Sequence, residues 1–275
     1  MIHGIVAAQG TYGAPHVPWT PTEITTALWL DAADSSTVTL VSSSVSGWAD
    51  KSGNGINVSQ GTASARPTLV SAGQNGLDVF SFDGGDALTS SATTNLIRNI
   101  AGAMVFVVRL YAASATVPRR SLTVIGNSSS VSRLVIEAGR TSGRNNVGGR
   151  RQDADGYQTA TGGSAMSTAW QIQCGVFEYS SAVLTQYING VSDGVNGTFQ
   201  TAGMTSDTNS VGLGIGATGS GTGEYFSGRL AEIVIVESVD IATRQKIEGY
   251  AAHKWGLTAG LPSGHPYKDS PPFVE

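Results

Sequence analysis

Ala169-Trp-Gln-Ile-Gln-Cys-Gly-Val-Phe-Glu-Tyr179, then Val183-Leu-Thr-Gln-Tyr-Ile188 running into Asn189-Gly190-Val191, is the stretch that decides the fold class. Two runs of strand length stand either side of a short polar break. The second ends in Asn-Gly, the favoured dipeptide of a type I′ hairpin turn, because both residues tolerate the positive φ that such a turn requires. Val191 begins the return strand. Toward the N-terminus the same grammar repeats in Ser132-Arg-Leu-Val-Ile-Glu137 and in Ala103-Met-Val-Phe-Val-Val-Arg-Leu-Tyr111. The latter is apolar enough for a central strand covered on both faces. Leu77-Asp-Val-Phe-Ser-Phe82 alternates, with Leu77, Val79 and Ser81 read onto one face, and Ala27-Leu-Trp-Leu-Asp31 is the first strand.

Toward the C-terminus, Ser210-Val-Gly-Leu-Gly-Ile-Gly216 carries glycine at every second position. One face of that strand is bare and admits another backbone, a bulky neighbour or a ligand. Phe226-Ser-Gly-Arg-Leu-Ala-Glu-Ile-Val-Ile-Val236 closes the strand series. One helix is signalled: Asp240 caps it, Ile247, Tyr250, Ala251 and Trp255 recur at helical spacing, and Gly256 stops it. Many strands, one late helix and no βαβ alternation predict an all-β chain. The expected architecture is a two-sheet antiparallel jelly-roll sandwich with one C-terminal helix.

The chain of 275 residues is 13% charged and 40% hydrophobic, with 36 glycines and a net charge of −4. It can build a core, and its polar surface rests on Ser, Thr, Asn, Gln and Gly rather than on charges. No concentrated basic field exists for nucleic acid. No run approaches the roughly 20 apolar residues of a membrane span. The lone cysteine, Cys174, reads as a buried thiol, and folding without disulfides suits assembly in a reducing cytoplasm. The N-terminus lacks the basic start of a signal peptide, so an external role implies another route out, such as lysis.

Residues 1–22 stand apart from the domain expected over 23–275. Gly10, Gly13, Pro15, Pro18 and Pro21 surround isolated apolar groups, namely Ile2, Ile5, Val6, Tyr12 and Trp19. Prolines at that spacing forbid a helix and remove ladder donors. The segment reads as an extended attachment arm, because its large apolar groups gain by docking.

Several motifs then line up in order: Leu28-Trp29-Leu30-Asp31-Ala32, Trp48-Ala-Asp50-Lys51-Ser52-Gly53-Asn54-Gly55, Ala65-Arg66-Pro67, and Phe82-Asp83-Gly84-Gly85-Asp86-Ala87-Leu88. Gly228-Arg229-Leu230-Ala231-Glu232-Ile233 follows, and then Tyr250-Ala-Ala-His253-Lys254-Trp255-Gly256 with His265-Pro266-Tyr267. As an ordered set over about residues 25–270 they resemble concanavalin A-like lectin/laminin G-like domains, especially those of bacteriophage structural proteins. The resemblance implies a virion protein, assembled in the host cytoplasm and exposed in multiple copies on tail or capsid. It would be held to other virion proteins by the arm and would serve host-surface glycan adhesion. A decoration or cement protein with no ligand is the alternative. The resemblance transfers no active site.

Catalysis is not expected. Glucanases on this fold are similar to one another in a strand with carboxylates at alternate positions, aimed into one cleft. Here Glu232 and Glu237 are five apart, and Asp153 and Asp155 alternate only within a glycine- and arginine-flanked loop. His3, His16, His253 and His265 show no metal-binding spacing. No cofactor is expected. Asp50, Asp83 and Asp86 are oxygen donors of the kind calcium uses, though the same residues suit sharp turns, which is the preferred reading. The segment from Arg140 to Tyr157 is the busiest chemically. Arg144, Asn145, Arg150, Asp153, Asp155 and Tyr157 combine planar polar groups with an aromatic, as sugar recognition requires. The same set serves protein contact or an ordinary solvated loop.

Overall fold

A computed structural model describes residues 17–90, 96–114, 119–124, 133–140, 143–206 and 212–275. Ile2, Ile5, Val6 and Tyr12 of the arm lie outside the described residues. The strands are β1 (Leu28–Asp31), β2 (Val38–Val41), β3 (Ser44–Trp48), β4 (Val58–Ser59), β5 (Thr68–Gln74), β6 (Leu77–Asp83), β7 (Leu88–Thr89), β8 (Ala103–Tyr111) and β9 (Arg119–Val124). They continue as β10 (Leu134–Ala138), β11 (Arg144–Gly149), β12 (Gln158–Ala165), β13 (Gln171–Glu178), β14 (Val183–Ile188), β15 (Val191–Asn196), β16 (Leu213–Ile215) and β17 (Ser227–Val236), before the helix α1 (Ile241–Lys254).

All pairings between these strands are antiparallel, and they fall into two runs. In the first, β17 pairs with β6 near its start, with β1 near its end and with β8 along its length. β5 extends β6, and β13, β14 and β15 extend β8 in turn. The second run is β2–β3–β4–β7–β16–β9–β10–β11–β12. A single pair, Ser44↔Thr68, links the two runs. The expected hairpin is present: Asn189 and Gly190 both take positive φ, 49° and 78°, between β14 and β15.

The main core draws from both runs. Leu30, Phe80, Val105, Phe177 and Ile233 come from the first, and Val45, Trp48, Leu122, Ile136, Val147 and Leu213 from the second. The other face of the first run carries Val79, Met104, Phe106, Val108, Ile172, Cys174 and Val176. It is covered by Ile247, Ala251, Ala252 and Trp255 of α1. β8, β13 and β17 are therefore buried on both faces, which is why the sequences of β8 and of the second half of β17 are almost continuously apolar, while β13 carries Gln173 inside a buried polar network. A bulge in β17 between Leu230 and Glu232 shifts the alternation, so Leu230 and Ile233 share one core while Ala231 and Val234 serve the other. Asp240 caps α1 by accepting from Thr243 N at 2.7 Å, and Gly256 ends it at φ +67°.

Three sequence expectations are corrected. First, the Arg140–Tyr157 segment is not one loop, because Arg144–Gly149 forms β11 inside it. Its polar residues pair with other buried polar groups, and its glycines admit close neighbours, so it lacks the apolar alternation of a strand signal. Second, β6 keeps the predicted alternation, with Leu77 and Val79 on one face, but its other face is buried too. Val79 faces the helix side, whereas Phe80 and Phe82 enter the main core. Third, Trp19 is 5% exposed and meets Tyr250 edge-on at 6.1 Å, and its backbone N–H donates to Pro272 O at 2.9 Å. Pro18 bridges to Phe273. The inner end of the proline-rich segment is docked on this domain, where α1 and the C-terminal tail supply the surface that an extended chain needs. Of the other tryptophans, Trp29, Trp48 and Trp255 are core residues, and Trp170 is partly buried against the helix-side cluster.

Candidate ligand-binding surface

Antiparallel pairing puts Arg120 of β9, Glu137 of β10 and Asn146 of β11 side by side across the second run. All three are fully buried. Glu137 receives Arg140 through a close Nε contact and through Nη2 at 3.0 Å, and Arg120 Nε lies 3.5 Å from it. Glu224 completes the group by pairing with Arg120 in a close contact and with Arg140 at 3.4 Å. Two carboxylates and two guanidiniums alternate, so the ring is neutral overall and each charge has two opposite neighbours. That is the condition under which buried charges are tolerated.

Tyr157 covers this ring. Its hydroxyl donates to Glu137 Oε1 at 3.2 Å, and the Arg140 guanidinium stands 5.0 Å from its ring centroid. Burial, reinforced by the Glu137 charge, holds the Tyr157 hydroxyl well above the usual tyrosine range, so it stays a donor. Burial alone would lower the Arg140 guanidinium, but the Glu137 hydrogen bond and charge raise it. A Cβ on Gly148 would overlap the Tyr157 ring, so glycine there lets the phenol lie flat on the sheet. Glu224 sits at φ +49°, in the left-handed region that non-glycine residues rarely occupy. Such strain persists where surrounding structure requires a particular side chain, and it clusters at functional sites. Arg140, Glu224 and Tyr157 remain partly open to solvent.

The six ligand candidates do not form one site. Arg144 and Arg150 flank β11, about 20 Å apart at the usual rise per residue. Arg144 is exposed and donates to Gly162 O and Gly163 O. Asn145 is fully buried: its Oδ1 accepts from Arg109 Nη2 at 2.8 Å and its amide donates to Ala165 O at 3.2 Å. It belongs to an interior network that sequence reasoning missed. Arg109 also reaches Gln171 and Gln173, Gln173 donates to Gln186, and Gln186 donates to Asp193. The signal available was polar residues at alternate positions of otherwise apolar strands, as at Gln171, Gln173 and Gln186. Arg150, Asp153 and Asp155 do come together in the 150–156 loop, with Arg133 and Arg151. Tyr157 alone joins the Glu137 ring.

The calcium candidates do not gather either. Among the described residues no group of three or more His, Cys, Asp or Glu side chains is placed to hold a metal ion. Asp50 spends both oxygens on its own loop, accepting from Trp29 N, Ser52 N, Ser52 Oγ and Ile56 N at 2.7–3.1 Å. Asp86 accepts from Asp83 N at 2.8 Å, and Asp83 from Gly85 N at 2.8 Å.

Burial lifts the Asp86 carboxyl to about 6, above its ordinary 3.8, with the Asp83 charge adding to the rise. A raised acid favours the folded state most below its unfolded value, and that advantage is lost as pH climbs through the folded value. Asp86→Asn keeps an acceptor for Asp83 N and removes the charge. The melting temperature of the variant relative to the parent should therefore rise between pH 4 and pH 6 and level off above. Parallel pH–melting curves would show instead that Asp86 titrates normally.

No protein-family model matches the sequence, and no curated protein matches it. Solved structures do resemble the fold. The binding domain of botulinum neurotoxin serotype G has a TM-score of 0.56 at 12% identity, over 86% of this chain and 54% of that one. The serotype D binding domain has a TM-score of 0.50 at 10% identity, over 78% and 48%. The CBM40 of the Ruminococcus gnavus IT-sialidase, solved with α2,3-sialyllactose, has a TM-score of 0.49 at 9% identity, over 60% and 93%. The chain thus spans about half the length of the two neurotoxin structures. At these identities the likeness is one of fold alone: a nearly all-β, antiparallel domain with one α-helix among the described residues.

Proposed function

We propose that this chain is a non-catalytic carbohydrate-binding domain, a two-sheet jelly roll that takes its ligand over the Arg120–Glu137–Arg140–Glu224 ring and Tyr157. The observation that carries the reading is the convergence of a half-buried phenol, a guanidinium and a carboxylate held at positive φ. Together they offer a sugar an apolar ring plane beside paired donors and acceptors. The lectin-like fold supports it. Binding rather than hydrolysis is favoured because Glu137 and Glu224 are each engaged by the same two arginines, so neither carboxyl group stands free to act on a scissile bond. The resemblance to phage structural proteins extends the proposal to display in many copies on a particle, where valency raises apparent affinity.

A multimerised domain on a glycan array is the test, alongside Glu224→Gly. Glycine accepts the backbone conformation at 224 without strain, which offsets part of the cost of leaving Arg120 and Arg140 with one carboxylate between them, so a variant that still melts cooperatively should lose at least about tenfold in array binding, or 1.4 kcal/mol. Absence of binding by the parent multimer, or full binding by Glu224→Gly, would refute the site.

A further inference from the structure

The 150–156 loop holds a second charged group, separate from the Glu137 ring and unbalanced. Arg133, just before β10, is 1% exposed. Its Nη2 and the Nη2 of Arg150 both reach Asp153 Oδ1, the first in a close contact and the second at 3.4 Å. Arg150 Nη1 donates to Asp153 O at 2.8 Å. Arg151 lies alongside, donating to Met204 O at 2.9 Å and standing 3.8 Å from Asp155 Oδ2. Asp155 is engaged by the N–H and the amide of Gln152, both at 3.2 Å. Three guanidiniums thus face two carboxylates. The shortfall shows in the hydrogen bonding: Nε and Nη1 of Arg133, Nε of Arg150 and Nε of Arg151 are all buried without an acceptor among the described residues.

Buried donors are almost always satisfied, and an arginine fork facing no acceptor is a matched half of a carboxylate or sulfate. Asp153 is the odd member. Its side chain is 42% exposed although it serves a guanidinium that is 2% exposed, so it reaches inward from the surface. We infer that Arg133, Arg150 and Arg151 form an oxyanion site, that Asp153 is its resident surrogate, and that the natural occupant is the carboxylate of an acidic sugar, which displaces the Asp153 side chain. An entering carboxylate presents two oxygens where Asp153 offers Oδ1 alone to the two forks, so it can meet N–H groups that Asp153 leaves idle. This deepens the carbohydrate-binding reading by naming an acidic residue of the glycan, and it rests on that reading for the word sugar.

The test uses the full chain in sodium sulfate and sodium chloride at matched ionic strength, with thermal melting and calorimetric titration. At low millimolar concentration, where its general exclusion from the surface is negligible, sulfate should raise the melting temperature above the chloride control and the rise should saturate. Asp153→Asn, which removes the competing charge, should bind sulfate about tenfold more tightly, and Arg150→Gln should lose the sulfate response while melting cooperatively. Sulfate indistinguishable from chloride in both the parent and Asp153→Asn would overturn the site. Glucuronic acid and its methyl ester separate the two readings. Competition with sulfate by the acid and not by the ester supports the sugar carboxylate. Sulfate binding that glucuronic acid does not displace overturns the acidic-sugar assignment while leaving array binding through the Glu137 ring untouched. Loss of array binding with sulfate binding intact would sink the carbohydrate reading alone.

Discussion

Glu232→Ala should cost about 5 kcal/mol or more, enough to unfold the domain or release its helix at 37 °C. Glu232 is 1% exposed and sits between β17 and α1. Its two oxygens accept from Trp29 Nε1 at 2.7 Å, Trp255 Nε1 at 2.6 Å and Tyr250 OH at 2.8 Å, and Lys254 Nζ is 3.1 Å away. Alanine orphans two indole N–H groups and a hydroxyl, at about 1–3 kcal/mol for each buried group. It also strips Lys254 of one partner, though Asp31 remains at 2.7 Å. Against a total stability of about 5–15 kcal/mol this is a large fraction of what holds the domain folded. Glu232→Gln keeps one good acceptor and should lose roughly half as much. Urea denaturation followed by tryptophan fluorescence measures both. A loss below about 1 kcal/mol for the alanine variant would mean that the indoles find other acceptors and that Glu232 is dispensable.

Gly214→Ala should lower stability by about 3 kcal/mol, at the upper end of overpacking costs. A Cβ on Gly214 would overlap the Thr218 carbonyl oxygen, and the Thr218 turn is itself fastened by Gly221 N at 2.8 Å and by its own N–H to Gly223 O at 3.1 Å. A backbone obstacle held this way cannot swing aside as a side-chain tip would. Gly61→Ala meets open space at negative φ and is the control, expected within about 0.5 kcal/mol of the parent. Equal melting of the two variants would show that the 218–223 turn yields freely.

The motifs that carry the phage-lectin resemblance acquire a physical role around Glu232. Trp29 and Asp31 come from the first motif and Lys51 from the second, Glu232 comes from β17, and Tyr250, Lys254 and Trp255 come from the helix. They close one assembly in which Lys51 pairs with Asp31 at 2.9 Å and lies over the Trp29 ring at 4.1 Å. Residues far apart in the chain meet here and lock α1 onto the sheet. They describe the scaffold and not the binding surface, which is why the resemblance predicts a fold and offers no site.

The sequence by itself determined the all-β class, the Asn189-Gly190 hairpin, the capped helix and the bare glycine face of β16. Each is a local property: φ preference, helical period, capping chemistry or apolar run length, all readable within a few residues. Tertiary structure alone decided that the β16 glycines make room for a backbone carbonyl and the Phe82 ring rather than a ligand. It alone decided that Asn145 is spent on Arg109, that Trp19 docks on its own domain, and that Arg120, Glu137, Arg140, Glu224 and Tyr157 meet. Those outcomes depend on strand register and on which face a bulge exposes. A one-residue shift reverses every side chain, so the spacing of Glu137 and Glu224, 87 positions apart, carries no trace of their shared arginines.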